Sequence, residues 1–163
     1  MKALKLNREF MMRHVGVALL MLGLGGWFGY DGLVTYPETS AYDLYRSIEK
    51  SEPPAGIDLA AFKTQKTQTQ LGFAAFALLA ALLVGGHVAW LASFKFAFDD
   101  EGFVVGGNGK KRAFADVKNI DWSKWEKKGI VRMDFVTLDA WHHEGVKDVA
   151  AILKKVEEGR AAK

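Results

Sequence analysis

The chain has 163 residues with a formal net charge of +3, half of them apolar and a quarter charged. That charge is too small to mark a nucleic-acid binder, so nucleic acid is not among the expected partners. With no cysteine there is no disulfide framework, no thiolate metal site and no thiol nucleophile, which excludes zinc ribbons, iron–sulfur clusters and cysteine enzymes.

Residues 1–13 form a basic tail in which Lys2, Lys5, Arg8 and Arg13 face the single acid Glu9. The apolar run 14–34 comes next, interrupted only near its far end by Asp31. It reads as a retained first transmembrane helix rather than a cleaved secretory signal. No A-x-A-like cleavage site follows it, and the run is long for the apolar region of a signal.

The connecting segment 35–70 carries Arg46, Lys50, Lys63 and Lys66 against five acids. Within it a short helix is expected from about Glu38, with Tyr42, Leu44, Tyr45 and Ile48 partly on one face, ended by Pro53-Pro54. Asp58 is placed to cap one more turn over Asp58–Phe62, TQKTQTQ after it is polar and uncharged apart from Lys66, and the whole segment reads as a small helical cap on the outer surface or as a disordered loop.

The stretch 71–94 has no Asp, Glu, Lys or Arg. As a helix it is roughly 36 Å long against a hydrocarbon core of about 30 Å, so it reads as a second transmembrane helix. Basic residues flank the pair on the side of the tail and of Lys95. The positive-inside rule therefore puts both termini in the cytoplasm of a multi-pass protein, with 35–70 outside.

After Phe94 the pattern turns to alternation. Phe96 and Phe98 start one strand, Asp99-Asp100-Glu101-Gly102 turns, and Phe103-Val104-Val105 makes a second. Gly106-Gly107-Asn108-Gly109 is a hairpin signal, because Asn-Gly tolerates positive φ. Residues 116–122 alternate again, Lys127-Lys128-Gly129 turns, 130–136 is a strand, and 137–142 adds a short one. A closing helix begins at Val146 and runs to about 158, with Val146, Val149, Ala150, Leu153 and Val156 on one stripe; 159–163 is a loose tail. The expected fold class is therefore α+β: a transmembrane hairpin, then a domain at 95–158 of about five antiparallel strands capped by a helix.

A hydrophobic hairpin, the turn Asp99-Asp100-Glu101-Gly102-Phe103, the strand Phe114-Ala115-Asp116-Val117-Lys118-Asn119-Ile120-Asp121-Trp122 and the helix from Val146 together resemble the bacterial membrane-anchored PH-like (pleckstrin-homology-like) proteins. The resemblance implies a bent sheet capped by the helix, here in a shortened version, and a place in the bacterial inner membrane. It implies no enzymatic activity and brings no catalytic residues.

Several side chains stand out as candidate sites. His87 lies inside the second apolar run and His14 opens the first. In a hairpin with both ends inside, the two fall at compatible depths for a bis-histidine haem, although a merely interfacial histidine is the simpler reading and no cofactor is assigned. Gly25 and Gly29 on the first helix and Ala81 and Gly85 on the second have the small-xxx-small spacing of close helix contacts, either with each other or with another subunit. Lys110, Lys111 and Arg112 form a basic turn suited to anionic lipid. Trp122 and Trp125, three apart, cannot share one face of a regular strand, which leaves Trp125 as a partner contact. Adjacent His142 and His143 point to opposite faces of a strand and so do not share a metal.

These features point to a non-enzymatic scaffold or accessory subunit of a larger membrane complex. Its partners would be lipids and other membrane subunits, with a second copy of the chain also allowed by the small-residue stripes. A stand-alone lipid- or peptide-binding module is the alternative, and a haem-binding redox accessory protein the second alternative.

Overall fold

A computed structural model describes residues 1–106, 109–134 and 136–161. The chain is mixed α+β and divides into two compact units, one formed by 14–86 and the other by 1–13 with 87–163.

The first unit holds most of two long helices. The helix α1, Arg8–Tyr30, continues through a π-helical stretch, Asp31–Thr35, into the short α2, Tyr36–Glu38. After α3 (Ala41–Glu49), α4 runs unbroken over Leu59–Ser93. The spans Arg8–Glu38 and Leu59–Ser93 are each long and apolar enough to cross a membrane. The helices α1, α3 and α4 each start at a polar cap. Asn7 Oδ1 accepts from the backbone N–H of Glu9 at 2.9 Å, Ser40 Oγ from Asp43 at 3.1 Å, and Asp58 Oδ1 from Ala61 at 2.9 Å.

The Asp58 cap is where expected, but the helix it opens is far longer than a single turn. The polar segment TQKTQTQ, loop-like in composition, is helical and makes α4 35 residues long. Its threonines remain inside the helix because Thr64 and Thr69 turn their hydroxyls back onto the carbonyls of Ala60 and Gln65, at 3.0 and 2.9 Å. Lys63 further ties this segment down by donating to the carbonyls of Pro37 and Thr39, each at 2.8 Å.

The second unit is the β domain. Among the described residues it has nine short strands: β1 (Lys2–Ala3), β2 (Lys5–Leu6), β3 (Phe96–Phe98), β4 (Gly102–Val105), β5 (Arg112–Ala113), β6 (Ile120–Asp121), β7 (Ile130–Met133), β8 (Val136–Asp139) and β9 (His143–Glu144). A short helix α5 (Trp125–Lys128) and the closing helix α6 (Val146–Ala161) complete it. The strands make three antiparallel sheets in the orders β1-β3-β4-β5, β2-β9 and β6-β7-β8.

The expected count of about five strands is thus corrected, for two physical reasons. The basic tail 1–13 is not free: Lys2 pairs with Phe98, and Lys5 with Glu144. The long strands expected at 116–122 and 130–136 are also broken. Phe114–Asp116 is a 3₁₀ turn, and Asp134 takes φ 42° between β7 and β8. That turn is held by the Asp134 carboxylate, which accepts from the backbone N–H of Lys118 at 3.2 Å and of Asn119 at 3.0 Å. Gly107 and Asn108 of the expected hairpin turn, Phe135 of the expected strand and residues 162–163 of the tail lie outside the described residues.

The core collects Leu4, Phe96, Phe98, Phe103, Phe114, Val131, Met133 and Leu138 under the stripe Val146, Val149 and Leu153 of α6, as the helical spacing predicts. A second small cluster joins Phe10 to Val88 and Leu91 near the end of α4.

Candidate functional site

The expected small-residue seam forms inside the first unit. A Cβ on Gly25 would lie 2.8 and 2.9 Å from side-chain atoms of Leu78, and one on Gly29 would meet Ala74 Cβ at 3.8 Å. Ala74, Ala77 and Ala81 are buried on the facing side of α4. Gly32, which the spacing argument missed, is as close to Leu71, at 2.8 Å. Gly25, Gly29 and Ala81 therefore serve contact within the chain. Gly85 does not: nothing lies within 4 Å of the position its Cβ would take, and the same holds for Gly16, Gly23, Gly26 and Gly72.

The basic turn is less basic than its sequence. Lys111 Nζ stands 3.0 Å from Asp99 and 3.2 Å from Glu101. Its hydrogen bonds to these two carboxylates raise the Lys111 pKa, and the bond to Lys111 is the main reason that the Asp99 carboxyl lies below the usual range. Lys110 is exposed, and Arg112 is held in β5 opposite Phe103.

Trp125 belongs to α5 rather than to a strand, so the face argument does not apply to it. The helical turn brings its ring edge-on to Trp122 at 5.8 Å, and both rings are half-buried against the core. Trp122 Nε1 donates to Glu157 at 2.7 Å, which fixes the pair to α6. Trp141 is more open than either of them, 53% exposed.

The most concentrated chemistry lies in a cluster whose full membership sequence reasoning missed. His87, on α4, stands edge-on to His142 at 5.9 Å and to Phe10 at 6.4 Å, and stacks on Trp90 at 6.0 Å. His142 Nδ1 is 3.2 Å from the carboxylate of Asp139. The partner that the fold brings to His87 is thus 55 residues away in sequence, just past the end of β8; His14 belongs to the other unit. The i, i+3 spacing of Asp139 and His142 was the one local signal. Among the described residues no three His, Asp or Glu side chains are grouped to hold a metal.

His142 lies in the turn before β9, so the strand argument does not apply to it, and His143 opens β9 with different neighbours. It is buried, with Nε2 3.4 Å from the Leu91 carbonyl and its ring 5.3 Å from Phe94. Burial is the main cause that lowers its pKa below 6.5, against the opposing contact with Leu91. The folded state therefore keeps His143 neutral while the unfolded chain takes up a proton below pH 6.5. Its contribution is whole above that pH and falls as acid is added, until the folded ring is itself protonated. Between about pH 7.5 and about pH 5 the β domain should lose stability by no more than about 1.4 kcal/mol per pH unit from this group. Melting curves across that range check it: His143→Gln should flatten the slope, and an unchanged slope would remove His143 as its source.

In comparisons with models of known families, with curated proteins and with solved structures, the chain matches none.

Proposed function

We propose that the chain is a non-enzymatic, multi-pass protein of a bacterial inner membrane that scaffolds other membrane proteins, as an accessory subunit, with its PH-like β domain and both termini in the cytoplasm. The observation that carries this reading is the apolar surface left uncovered on the two long helices. Only 17% and 22% of their most apolar stretches are buried, and side chains as large as Phe76 and Leu82 are each 70% exposed. A helix at the core of a soluble protein would be mostly covered; these helices need lipid or protein around them. The open glycines Gly16, Gly23, Gly26, Gly72 and Gly85 then offer close-approach positions to neighbouring helices, beyond the seam that the chain fills itself. The pairing of Lys111 with Asp99 and Glu101 weighs against lipid binding by the basic turn as the main role.

Membrane extraction and purification test the reading. The chain should resist an alkaline wash, and gentle detergent should release it in a large particle of fixed composition whose other subunits name the process. A lone monomer would refute the scaffold role. Because the chain has no native cysteine, Glu126→Cys gives a single label site in α5. It should react with an impermeant thiol reagent only when the cytoplasmic side is open, and reaction from outside would invert the topology.

A further inference from the structure

At the C-terminal end of α4 a cleft of about 570 Å³ lies between the last turn of that helix, the end of β4 and the edge strand β8. Leu91, Phe94 and Val105 make its apolar side and Trp90, 68% exposed, stands at its margin. Lys95, Thr137 and His142 line the polar side. The composition is two-part: a hydrocarbon surface that runs into a cationic and hydrogen-bonding one.

We propose that this cleft binds one anionic phospholipid, with the phosphate on Lys95 and an acyl chain along Trp90, Leu91 and Phe94. The assignment rests on the membrane reading of α4. Residues 67–94 carry no Asp, Glu, Lys or Arg, so Lys95 is the first charge after the apolar run and stands at headgroup level when α4 spans the bilayer. Its ammonium enters no ion pair among the described residues, whereas Lys111 is taken up by two carboxylates. Asp139 also lines the cleft; its carboxylate stands 3.2 Å from His142 Nδ1 and forms no ion pair with Lys95 among the described residues. A tryptophan at the margin of the apolar run is where such rings settle between chains and headgroups. Both parts of a phospholipid thus find their complement; a soluble anion would leave the apolar side bare.

The full chain, reconstituted in vesicles of equal parts phosphatidylcholine and phosphatidylglycerol and then released into mild detergent, is weighed with its retained lipids by native mass spectrometry. Wild type should retain phosphatidylglycerol in preference to phosphatidylcholine. Lys95→Gln should cut that preference roughly fivefold, the effect of one headgroup charge contact. Lys110→Gln should leave it unchanged, and Thr137→Trp, which fills the cleft from an exposed strand position, should cut retention of both lipids. Equal retention of the two lipids by wild type, undiminished preference in Lys95→Gln, or an equal loss in Lys110→Gln would overturn the assignment. So would release of the lipid by excess inorganic phosphate, which would make the cleft a site for free anions. An alkaline wash of the same vesicles separates the two levels: a chain that stays in the bilayer without a preferred lipid refutes the cleft alone, while a chain that washes out refutes the membrane reading beneath it.

Discussion

Phe96→Ala is expected to destabilise the β domain by about 3–5 kcal/mol, the range for removing a large buried ring. Phe96 is buried on β3, between β1 and β4, and stacks on Phe103 with centroids 5.4 Å apart and planes 10° from parallel. It also meets Phe98 at 6.3 Å and Phe94 at 6.5 Å, while Phe103 passes the row on to Phe114 at 5.1 Å. Truncation therefore opens a gap between rings whose own positions depend on one another, and short strands on either side leave little rigid backbone to close it. A loss of that size is a large share of the roughly 5–15 kcal/mol that holds an ordinary domain folded. The melting temperature of the domain, followed by tryptophan fluorescence of the detergent-solubilised chain, should drop by more than about 12 °C. A drop below about 4 °C would show that Phe96 is not a core residue. Phe96→Leu, which keeps most of the volume, should lose much less.

The phenylalanine row can be read in advance, while other parts of the domain cannot, because the forces involved differ in range. Phe96 and Phe98 alternate with Ala97, and Val146, Val149 and Leu153 recur at helical spacing; both patterns are local, and both lead to the core. The two-residue strands at Lys2–Ala3 and Lys5–Leu6 have no such pattern. A single Leu4 between Ala3 and Lys5 becomes a core residue only because Ala97 and Glu144 lie ready to pair with those two neighbours. The helical TQKTQTQ is a related case: its composition is that of a loop, and it is held helical by the cap at Asp58, the internal hydroxyl bonds and the continuing apolar helix beyond.

The candidate sites divide along the same line. Gly25, Gly29 and Ala81 are legible because close helix packing selects small residues at fixed spacing. The contact of Trp125 with Trp122 is not, since it depends on one turn of helix inserted where alternation implies a strand and a turn. His87 beside His142 and Asp139 is further out of reach, because it depends on where the chain returns after β8. Haem on His14 and His87 rests on residue type and expected depth in the hairpin, and lipid on Lys110, Lys111 and Arg112 on charge. The fold gives His87 a different histidine for a neighbour and gives Lys111 two carboxylates.

Gly102→Ala should also be severe, for a reason of space rather than of backbone angle. Gly102 opens β4 directly opposite Ala113 of β5. A Cβ there would lie 2.3 Å from the Arg112 carbonyl oxygen, 3.0 Å from its carbon and 3.2 Å from Ala113 Cα. All three atoms are backbone, so no side chain can swing aside and the strand itself must move. Gly102 is further pinned by the preceding turn, where its N–H donates to Asp99 Oδ1 at 3.0 Å and its carbonyl accepts from the Asp99 N–H at 2.9 Å. The displacement thus falls on β5, and Phe114, which comes directly after it and is buried against Phe103, is drawn out of the core. The expected loss is about 2–4 kcal/mol, at or above the usual cost of overpacking. Gly106→Ala is the internal contrast. Gly106 has φ 80° but nothing within 4 Å of its Cβ position, so alanine there should cost only the backbone term of about 1–2 kcal/mol. Urea midpoints of the two variants, with amide hydrogen exchange across 102–105 and 112–114, separate the two origins. Gly102→Ala should fall below Gly106→Ala and lose protection in β4 and β5 together. Equal midpoints, or protection retained across that pair, would mean that the strands can part without cost and that the close approach at Gly102 does not hold the sheet.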